Sequence, residues 1–78
     1  MAILRLFGPA REAAGTGRVT LPGQNVSEII AAAELQFGEA FSQVVAVSNI
    51  WVNGEPVEAD APVHDGDEVA VIPPVSGG

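Results

Sequence analysis

Short apolar runs bounded by turn residues recur along the chain, and each predicts a β-strand. The first run, MAILRLF, is followed by Gly8 and Pro9, and a second short run, RVTL, is followed by Pro22 and Gly23. Side chains alternate across a strand, which divides the first run between two faces: Leu4 and Leu6 on one, and Ile3, Arg5 and Phe7 on the other. The charge of Arg5 marks the second face as the less buried one.

A helical pattern occupies the middle of the chain. Asn25 followed by Glu28 resembles a capping box, and apolar residues recur at helical spacing from there to Gly38. The segment PAREAAG predicts a shorter helical turn, because proline is tolerated at the first helical position and glycine stops a helix. The segment EAFSQVVAV continues irregularly and favours one further helical turn.

The second half of the chain predicts a hairpin and a final strand. Asn53 and Gly54 separate two apolar runs in NIWVNGEPV, which is the strongest short-range hairpin signal. DEVAVIP is the last predicted strand, and Pro73 and Pro74 end it because proline has no amide N–H to give to a ladder. One main helix and several short strands favour an α+β fold, a mixed sheet wrapped over the helix with the first and last strands side by side. This is the β-grasp (ubiquitin-like) arrangement, predicted for residues 1–72 with an extended, flexible tail at 73–78.

Size and composition allow one small folded domain. The 78 residues hold a single core, and 47% of them are apolar, which favours a globule over disorder. The absence of cysteine excludes disulfides, thiolate nucleophiles, iron–sulfur clusters and cysteine-type zinc sites, and no other metal site is predicted. No run of about 20 apolar residues and no signal-peptide pattern occur, so the expectation is a soluble, cytoplasmic protein with no membrane contact.

The charge balance is strongly acidic. Ten aspartates and glutamates face three arginines and no lysine, for a net charge of −7. Nucleic-acid binding is not expected, because phosphate contacts need basic side chains. A partner with a basic face fits this charge, although acidity also serves to keep a chain soluble.

The final segment, PPVSGG, is suited to insertion into another protein. Fully extended, it reaches on the order of 20 Å beyond the sheet, and the only reactive group at its tip is the carboxylate of Gly78. Pro73 and Pro74 stiffen its base, and Gly77 and Gly78 have no Cβ atom, which lets the backbone enter a narrow tunnel. The alternative is a frayed terminus without function.

These segments resemble a known family. LFGPAREAAGT near the start, DGDEVAVIPPVSGG at the end and the overall length are similar to the MoaD group of the MoaD/ThiS ubiquitin-like sulfur carriers, the small subunits of molybdopterin synthase. The resemblance covers essentially the whole chain, and its most specific part is the final strand followed by Pro-Pro-Val-Ser-Gly-Gly. Phe7, Arg11, Glu12 and Gly15 support it more weakly.

The resemblance implies a sulfur-transfer reaction at Gly78. An ATP-dependent activating enzyme of the MoeB/ThiF kind would adenylate the Gly78 carboxylate, which is then converted to a thiocarboxylate. Residues 73–77 (Pro73, Pro74, Val75, Ser76 and Gly77) would enter the partner's active site. The acceptor would be cyclic pyranopterin monophosphate, bound by a large subunit in a heterotetramer of two small and two large subunits, and the product would be the dithiolene of molybdopterin. The chain itself would bind no cofactor and would not be catalytic alone.

A docking face is predicted on the side of the sheet away from the helix. It collects four large apolar residues: Ile3, Phe7, Trp51 and Ile72. Uncovered patches of this kind mark partner sites. Phe7 and Ile72, with Pro56 on the neighbouring short strand, are predicted to dock the activating enzyme and the large subunit, as the resemblance also implies.

Two further residues have alternative interpretations. Trp51 is either part of the docking face or a partly buried packing residue. Arg11 either pairs with an acidic group of a partner or bonds to Glu12 or a nearby carbonyl, and an exposed pair of that kind contributes only about 0–1 kcal/mol.

Three other functions remain open. The first is a sulfur carrier for thiamine or for tRNA thiolation. The second is a protein modifier that forms isopeptide bonds through Gly78. The third is a non-covalent interaction domain in which the terminal glycines have no role.

Other polar residues are predicted to be structural. His64 stands beside a turn, and the spacing of Asp65, Asp67 and Glu68 does not fit an EF-hand loop. Ser76 and His64 make no plausible catalytic triad, because nothing would fix a serine on a mobile tail. The segment GTGR lacks the lysine of a phosphate-binding loop.

Overall fold

The chain folds into a five-stranded sheet with three helices, in a computed structural model that describes residues 1–74. The strands are β1 (Ala2–Leu6), β2 (Arg18–Leu21), β3 (Asn49–Val52), β4 (Glu55–Pro56) and β5 (Glu68–Ile72). The helices are α1 (Gly8–Ala14), α2 (Val26–Phe37) and α3 (Glu39–Ala46). No helix within this part of the chain is long and apolar enough to cross a membrane.

The strands lie in the order β2-β1-β5-β3-β4. The central pair, β1 and β5, is parallel, whereas β2 pairs with β1 and β3 pairs with β5 in antiparallel fashion. The short strand β4 completes an antiparallel hairpin with β3. A mixed sheet with its first and last strands side by side confirms the predicted β-grasp fold.

The inner face of the sheet, which the helices cover, contains the hydrophobic core. Most of its fully buried side chains come from the two central strands and from α2 and α3, among them Leu4, Leu6, Val69, Val71, Ile29, Ala33 and Phe41. Ile50 and Val52 of β3 pack against the same cluster and are half-buried. Burying one large apolar side chain contributes roughly 1.5–3 kcal/mol, so this face supplies most of the free energy that holds the fold together.

Helix α2 begins with partners for its free amide groups. Oδ1 of Asn25 accepts a hydrogen bond from the N–H of Glu28 at 2.9 Å, as the sequence predicts. Oε1 of Glu28 accepts from the N–H of Gln24 at 2.8 Å, instead of from Asn25 as in a full capping box. The first two amides of the helix donate to the carbonyls of Ala61 and Ala59, at 3.0 and 2.9 Å. The start of the helix is therefore fixed by side chains and by a distant loop.

The two shorter helices are bounded by glycines. Helix α1 ends at Gly15, which has a φ of 77° and donates its N–H to the carbonyl of Arg11 at 2.9 Å. Gly38, with a φ of 92°, lies between α2 and α3. Helix α3 has eight residues and is longer than the predicted single turn. It is stabilised by Phe41, which is fully buried and whose ring centroid lies 5.2 Å from that of Phe37.

The turn between β3 and β4 is tied to the start of β5 by Asn53. Asn53 and Gly54 have positive φ values of 50° and 85°, as expected for an Asn-Gly hairpin. The Asn53 side chain accepts from the N–H of Glu68 at 3.0 Å and donates to Oδ1 of Asp67 at 3.1 Å. Oδ2 of Asp67 accepts from the N–H of His64 at 2.8 Å. These hydrogen bonds, above all the one from the His64 backbone, lower the pKa of the Asp67 carboxyl.

Candidate functional site

The chain leaves the sheet beside the junction of β1 and α1. Strand β5 ends at Ile72, after which Pro73 is half-buried and Pro74 is exposed. Gly8 opens α1 with a φ of 54°, and a Cβ atom at this position would lie 3.4 Å from Cγ of Pro73. This close approach fixes the point from which the predicted tail departs.

The reacting end of the predicted tail lies outside the described residues. Four residues are concerned: Val75, Ser76 and Gly77, which are predicted to be inserted into a partner, and Gly78, which is predicted to react. Their roles stay predictions. Pro73 and Pro74, the base of the same segment, lie at the exit described above.

One row of side chains crosses the whole outer face of the sheet, which is the face away from the helices. The strand register places five residues side by side, from β2 to β4: Arg18, Arg5, Ala70, Trp51 and Pro56. Because neighbouring strands lie about 4.8 Å apart, the row is about 19 Å long. It brings Trp51 and Pro56, both predicted docking residues, into line with two arginines.

The predicted apolar docking residues differ in exposure. Phe7 is 42% exposed, and the guanidinium group of Arg5 lies over its ring, 5.8 Å from the centroid. Ile3, Trp51 and Ile72 are half-buried. The outer face is therefore a mixed surface in which charged side chains interrupt the apolar ones.

The arginines on and beside this face have different surroundings. Arg5 pairs with Glu68 at 3.3 Å, but both side chains are well exposed, so the pair contributes only about 0–1 kcal/mol. Arg11 lies on α1 with its guanidinium group close to Gly17, where a Cβ atom would be 3.3 Å from Nε. Within residues 1–74, neither Glu12 nor any other carboxylate forms an ion pair with Arg11.

The acidic residues before β5 organise a turn. The carboxylate of Asp65 accepts a hydrogen bond from the N-terminal ammonium group of Met1, which lowers the pKa of Asp65. The His64 side chain is 80% exposed and its Nδ1 lies 3.5 Å from the Asp67 carboxylate. The part of the chain that the structure describes contains no pocket and no cluster of metal-binding side chains.

Nearly the whole chain matches one family. Residues 4–78 match the ThiS family. The chain belongs to the ThiS family. The match includes the predicted tail as well as the sheet and helices of this ThiS-family protein. No protein of curated function matches it.

Several solved structures are similar to this ThiS-family chain over nearly its full length. A putative molybdopterin converting factor, subunit 1, from Pyrococcus furiosus is 33% identical, with a TM-score of 0.80, and the match covers 95% of this chain and 97% of that one. SAMP1 from Haloferax volcanii is 31% identical, with a TM-score of 0.80 and coverage of 99% and 98%. One chain of the BexX/CysO complex from Amycolatopsis orientalis is 27% identical, with a TM-score of 0.85 and coverage of 100% of both chains.

These similarities identify a sulfur-carrier or ubiquitin-like protein of the ThiS/MoaD family. The similar structures carry different names, so the MoaD group is not singled out among them. The BexX/CysO complex also shows that a chain similar to this one takes part in a complex with another protein.

Sequence reasoning did not assign Arg5, Arg18 or Ala70 to the candidate site. Alternation along β1 was enough to place Arg5 on the outer face. Its neighbours, however, depend on the register of β1 with β2 and β5, and this register joins residues that are far apart in the sequence. The only sequence signal was the scarcity of basic residues, since three arginines stand among ten acidic residues.

Proposed function

We propose that this ThiS-family protein is a sulfur carrier that serves as the small subunit of a molybdopterin synthase. The observation that carries the proposal is the 33% identity, over 95% of the chain, to a putative molybdopterin converting factor, subunit 1. The family match through residue 78 supports it, because it includes the segment that would do the chemistry.

In the proposed reaction, an activating enzyme of the MoeB/ThiF kind joins the Gly78 carboxylate to AMP, using ATP and releasing pyrophosphate. Adenylation turns a poor leaving group into a good one, so a sulfide-level donor displaces AMP and leaves a thiocarboxylate. The thiocarboxylate sulfur then attacks cyclic pyranopterin monophosphate, and hydrolysis of the acyl–sulfur bond returns the carboxylate. This chain supplies the reacting atom, and its partners supply ATP and the catalytic groups.

The other predicted site residues either form the tail or dock the body of the chain on its partners. Pro73, Pro74, Val75, Ser76 and Gly77 form the segment that enters the active site of the large subunit. The docking residues that we assign to the body are those on or beside the outer face: Phe7, Arg11, Trp51, Pro56 and Ile72. Two copies of this chain and two large subunits would form the synthase.

The test of activation is an intact-mass measurement. The full chain is incubated with the adenylating enzyme of the same organism, ATP and a sulfur donor. Replacement of one carboxylate oxygen by sulfur makes the chain about 16 Da heavier. The matched controls are the same mixture without ATP and a variant that lacks Gly78. An unchanged mass in the complete mixture, with an enzyme shown to bind ATP, would contradict the proposal.

The acceptor is tested in a second step. The thiocarboxylated chain is mixed with the large subunit and cyclic pyranopterin monophosphate, and dithiolene formation is followed by oxidation of the product to a fluorescent pterin. Formation of the dithiolene is the expected result. Sulfur delivery to a thiamine precursor or to tRNA, with none to the pterin, would instead assign the chain to a different pathway.

The second candidate function is a protein modifier, favoured by the 31% identity to SAMP1, a small archaeal modifier protein. A modifier would form conjugates of higher mass through Gly78, whereas a dedicated carrier changes mass only at its own terminus. A tagged full-length chain expressed in its own organism distinguishes these functions, because conjugates that vanish when Gly78 is removed would establish the modifier role.

A further inference from the structure

The three arginines of this acidic chain lie at one side of the molecule. Arg5 and Arg18 are directly opposite each other across β1 and β2. The guanidinium group of Arg11 lies close to Gly17, the residue that precedes Arg18. We call these three residues the arginine cluster. All lysine and arginine charge of a chain with ten acidic residues is therefore concentrated here.

Most of this positive charge has no carboxylate partner within the described chain. Like charges placed directly opposite on neighbouring strands disfavour folding, and Arg5 and Arg18 are such a pair. Glu68 forms an ion pair with Arg5 alone, in which Nη1 of Arg5 lies 3.3 Å from Oε1 of Glu68. No carboxylate among residues 1–74 forms an ion pair with Arg11 or Arg18, and both residues are exposed. The arrangement does not serve stability, which points to a role toward another molecule.

The arginine cluster continues into an apolar surface along the row across the outer face. Ala70 lies between Arg5 and Trp51, and its short side chain leaves a low point between two long ones. Because adjacent strands are about 4.8 Å apart, Arg5 and Trp51 are about 10 Å apart along the row. The row therefore offers a cationic end, a low centre and an aromatic end. Arginine and aromatic residues are the types enriched where proteins bind one another.

The edges of the sheet are poorly suited to pairing with another strand. On β2, the Thr16 hydroxyl donates to the carbonyl of Arg18 at 3.1 Å and accepts from its N–H at 3.4 Å. Next to β4, the N–H of Val57 donates to the carbonyl of Ile50, so the backbone polar groups of the preceding residue, Pro56, face away from β3. Because proline has no N–H, this edge cannot donate a hydrogen bond at Pro56. A partner is therefore expected to approach the outer face and not an edge.

We propose that the arginine cluster and the row from Arg18 to Pro56 form the docking strip for the activating enzyme, and this inference rests on the proposed function. An acidic segment of the enzyme lies over Arg5 and Arg18, and an apolar side chain of the same segment enters the low point at Ala70 against Trp51. The whole-chain charge of −7 favours a partner with a basic face, but the local charge here requires carboxylates. It also disfavours a nucleic acid, which the rest of the chain would repel.

The position of the charges selects the activating enzyme over the large subunit. Exposed charges at the rim of an interface act mainly on the rate of association. An enzyme that activates many carrier molecules in turn must bind and release each one quickly, whereas a subunit of a stable synthase does not. The strip also lies on β5, the strand from whose end the tail departs toward an active site.

The experiment compares charge variants of equal net charge. Arg18→Gln on the strip and Gln43→Glu on the exposed side of α3 each make the net charge one unit more negative. The double variants Arg5→Gln/Arg18→Gln and Gln36→Glu/Gln43→Glu form a second matched pair. Carrier-dependent exchange of labelled pyrophosphate into ATP is measured with the adenylating enzyme of the same organism, over a range of carrier and salt concentrations. Thermal unfolding of each variant checks that it is folded.

The strip variants are expected to raise the apparent KM for the carrier, by about threefold for Arg18→Gln and about tenfold for the double variant, with kcat unchanged. The difference in KM between the wild type and the strip variants should disappear as the salt concentration rises from about 50 mM to 500 mM, because salt screens exposed charges. The control variants, at Gln43 on α3 and Gln36 on α2, are expected to match the wild type.

Three results would overturn the inference in distinguishable ways. Equal KM values for the strip variants and their matched helix-surface controls would contradict the docking strip and leave the proposed function intact. If the double strip variant weakened the Kd of the complex with the large subunit by as much as it raises the KM for the activating enzyme, the strip would not be specific to that enzyme. The absence of exchange with the wild-type chain would remove the proposed function, and the inference with it.

Discussion

The inner face of the sheet is covered by helices, and its side chains on β1 and β5 are at most 1% exposed. The outer face, in contrast, carries a row of side chains that runs across the sheet from arginine to tryptophan and proline. Alternation of side chains lets five short strands meet both requirements at once. The inner face determines whether the chain folds, and the outer face determines what the folded chain can bind. Substitutions on the two faces should therefore have separable effects.

The largest effect on stability is expected from Phe41→Ala in the core. Phe41 of α3 is fully buried in the core cluster, and loss of a buried phenylalanine side chain costs about 3–5 kcal/mol. Small domains have only about 5–15 kcal/mol of stability in total, so this variant should be largely destabilised. Urea unfolding followed by fluorescence of Trp51, the single tryptophan, measures the loss.

The matched control for Phe41 is Leu35→Ala on α2. Leu35 is 90% exposed, so its removal should change the unfolding free energy by no more than about 0.5 kcal/mol. Similar losses in the two variants would contradict the placement of the core.

A smaller loss is expected from Gly23→Ala, which tests how closely the chain approaches α2. A Cβ atom at Gly23 would lie 2.8 Å from Cδ1 of Ile29 and 2.9 Å from its backbone nitrogen, so the helix must shift. Overpacking of this kind costs about 1–3 kcal/mol. Gly15→Ala is the control, because Gly15 also has a positive φ but no atom within 4 Å of the added carbon. An equal loss in both variants would show that no steric conflict with Ile29 exists.

The next effect concerns pH and the turn before β5. The folded-state pKa of Asp67 is lowered by hydrogen bonds, first that from His64 and then that from Asn53. A lowered pKa stabilises the fold at pH values above the ordinary aspartate pKa near 4, and this stability is lost as the pH falls through the lowered value. Asp67→Asn should therefore flatten the acid side of the stability profile, measured by unfolding from about pH 6 to 2. Asp60→Asn, at an exposed loop position, should leave the profile unchanged, and the same flattening there would refute the assignment.

The smallest effect on stability is expected from Phe7→Ser on the outer face. Phe7 is 42% exposed and contacts Arg5, so the unfolding free energy should fall by less than about 1 kcal/mol. The apparent KM for the activating enzyme should nevertheless rise about tenfold, because exposed aromatics are common anchors of interfaces. Val47→Ser, at an apolar residue that is 67% exposed after α3, is the control and should change neither quantity. A larger loss of stability than of binding would place Phe7 in the core instead.

Local sequence signals predicted most of the elements of this fold. The Asn53-Gly54 turn, the Asn25 cap and the Gly15 stop each depend on backbone geometry within a few residues, and each is present. Alternation also separated the inner from the outer side chains of β1 and β5. These features are short-range, so one sequence is enough to indicate them.

Long-range contacts explain what the sequence did not predict. The length of α3 depends on the burial of Phe41. The start of α2 depends in part on a distant loop, because the N–H groups of Val26 and Ser27 donate to the carbonyls of Ala61 and Ala59. The neighbours of Arg5 depend on pairing with β2 and β5. The four last residues of the chain lie outside the described residues, so the site of the proposed chemistry stays a prediction from sequence and family.

The parallel pairing of β1 with β5 also affects how the chain is made. The sheet lacks its central strand until residues 68–72 have been synthesised, so a growing chain holds an incomplete core until near the end of translation. Contacts between such distant segments also slow folding. A copy truncated before β5 is expected to be cleared by proteases, while every copy that survives in folded form extends at least as far as the base of the tail.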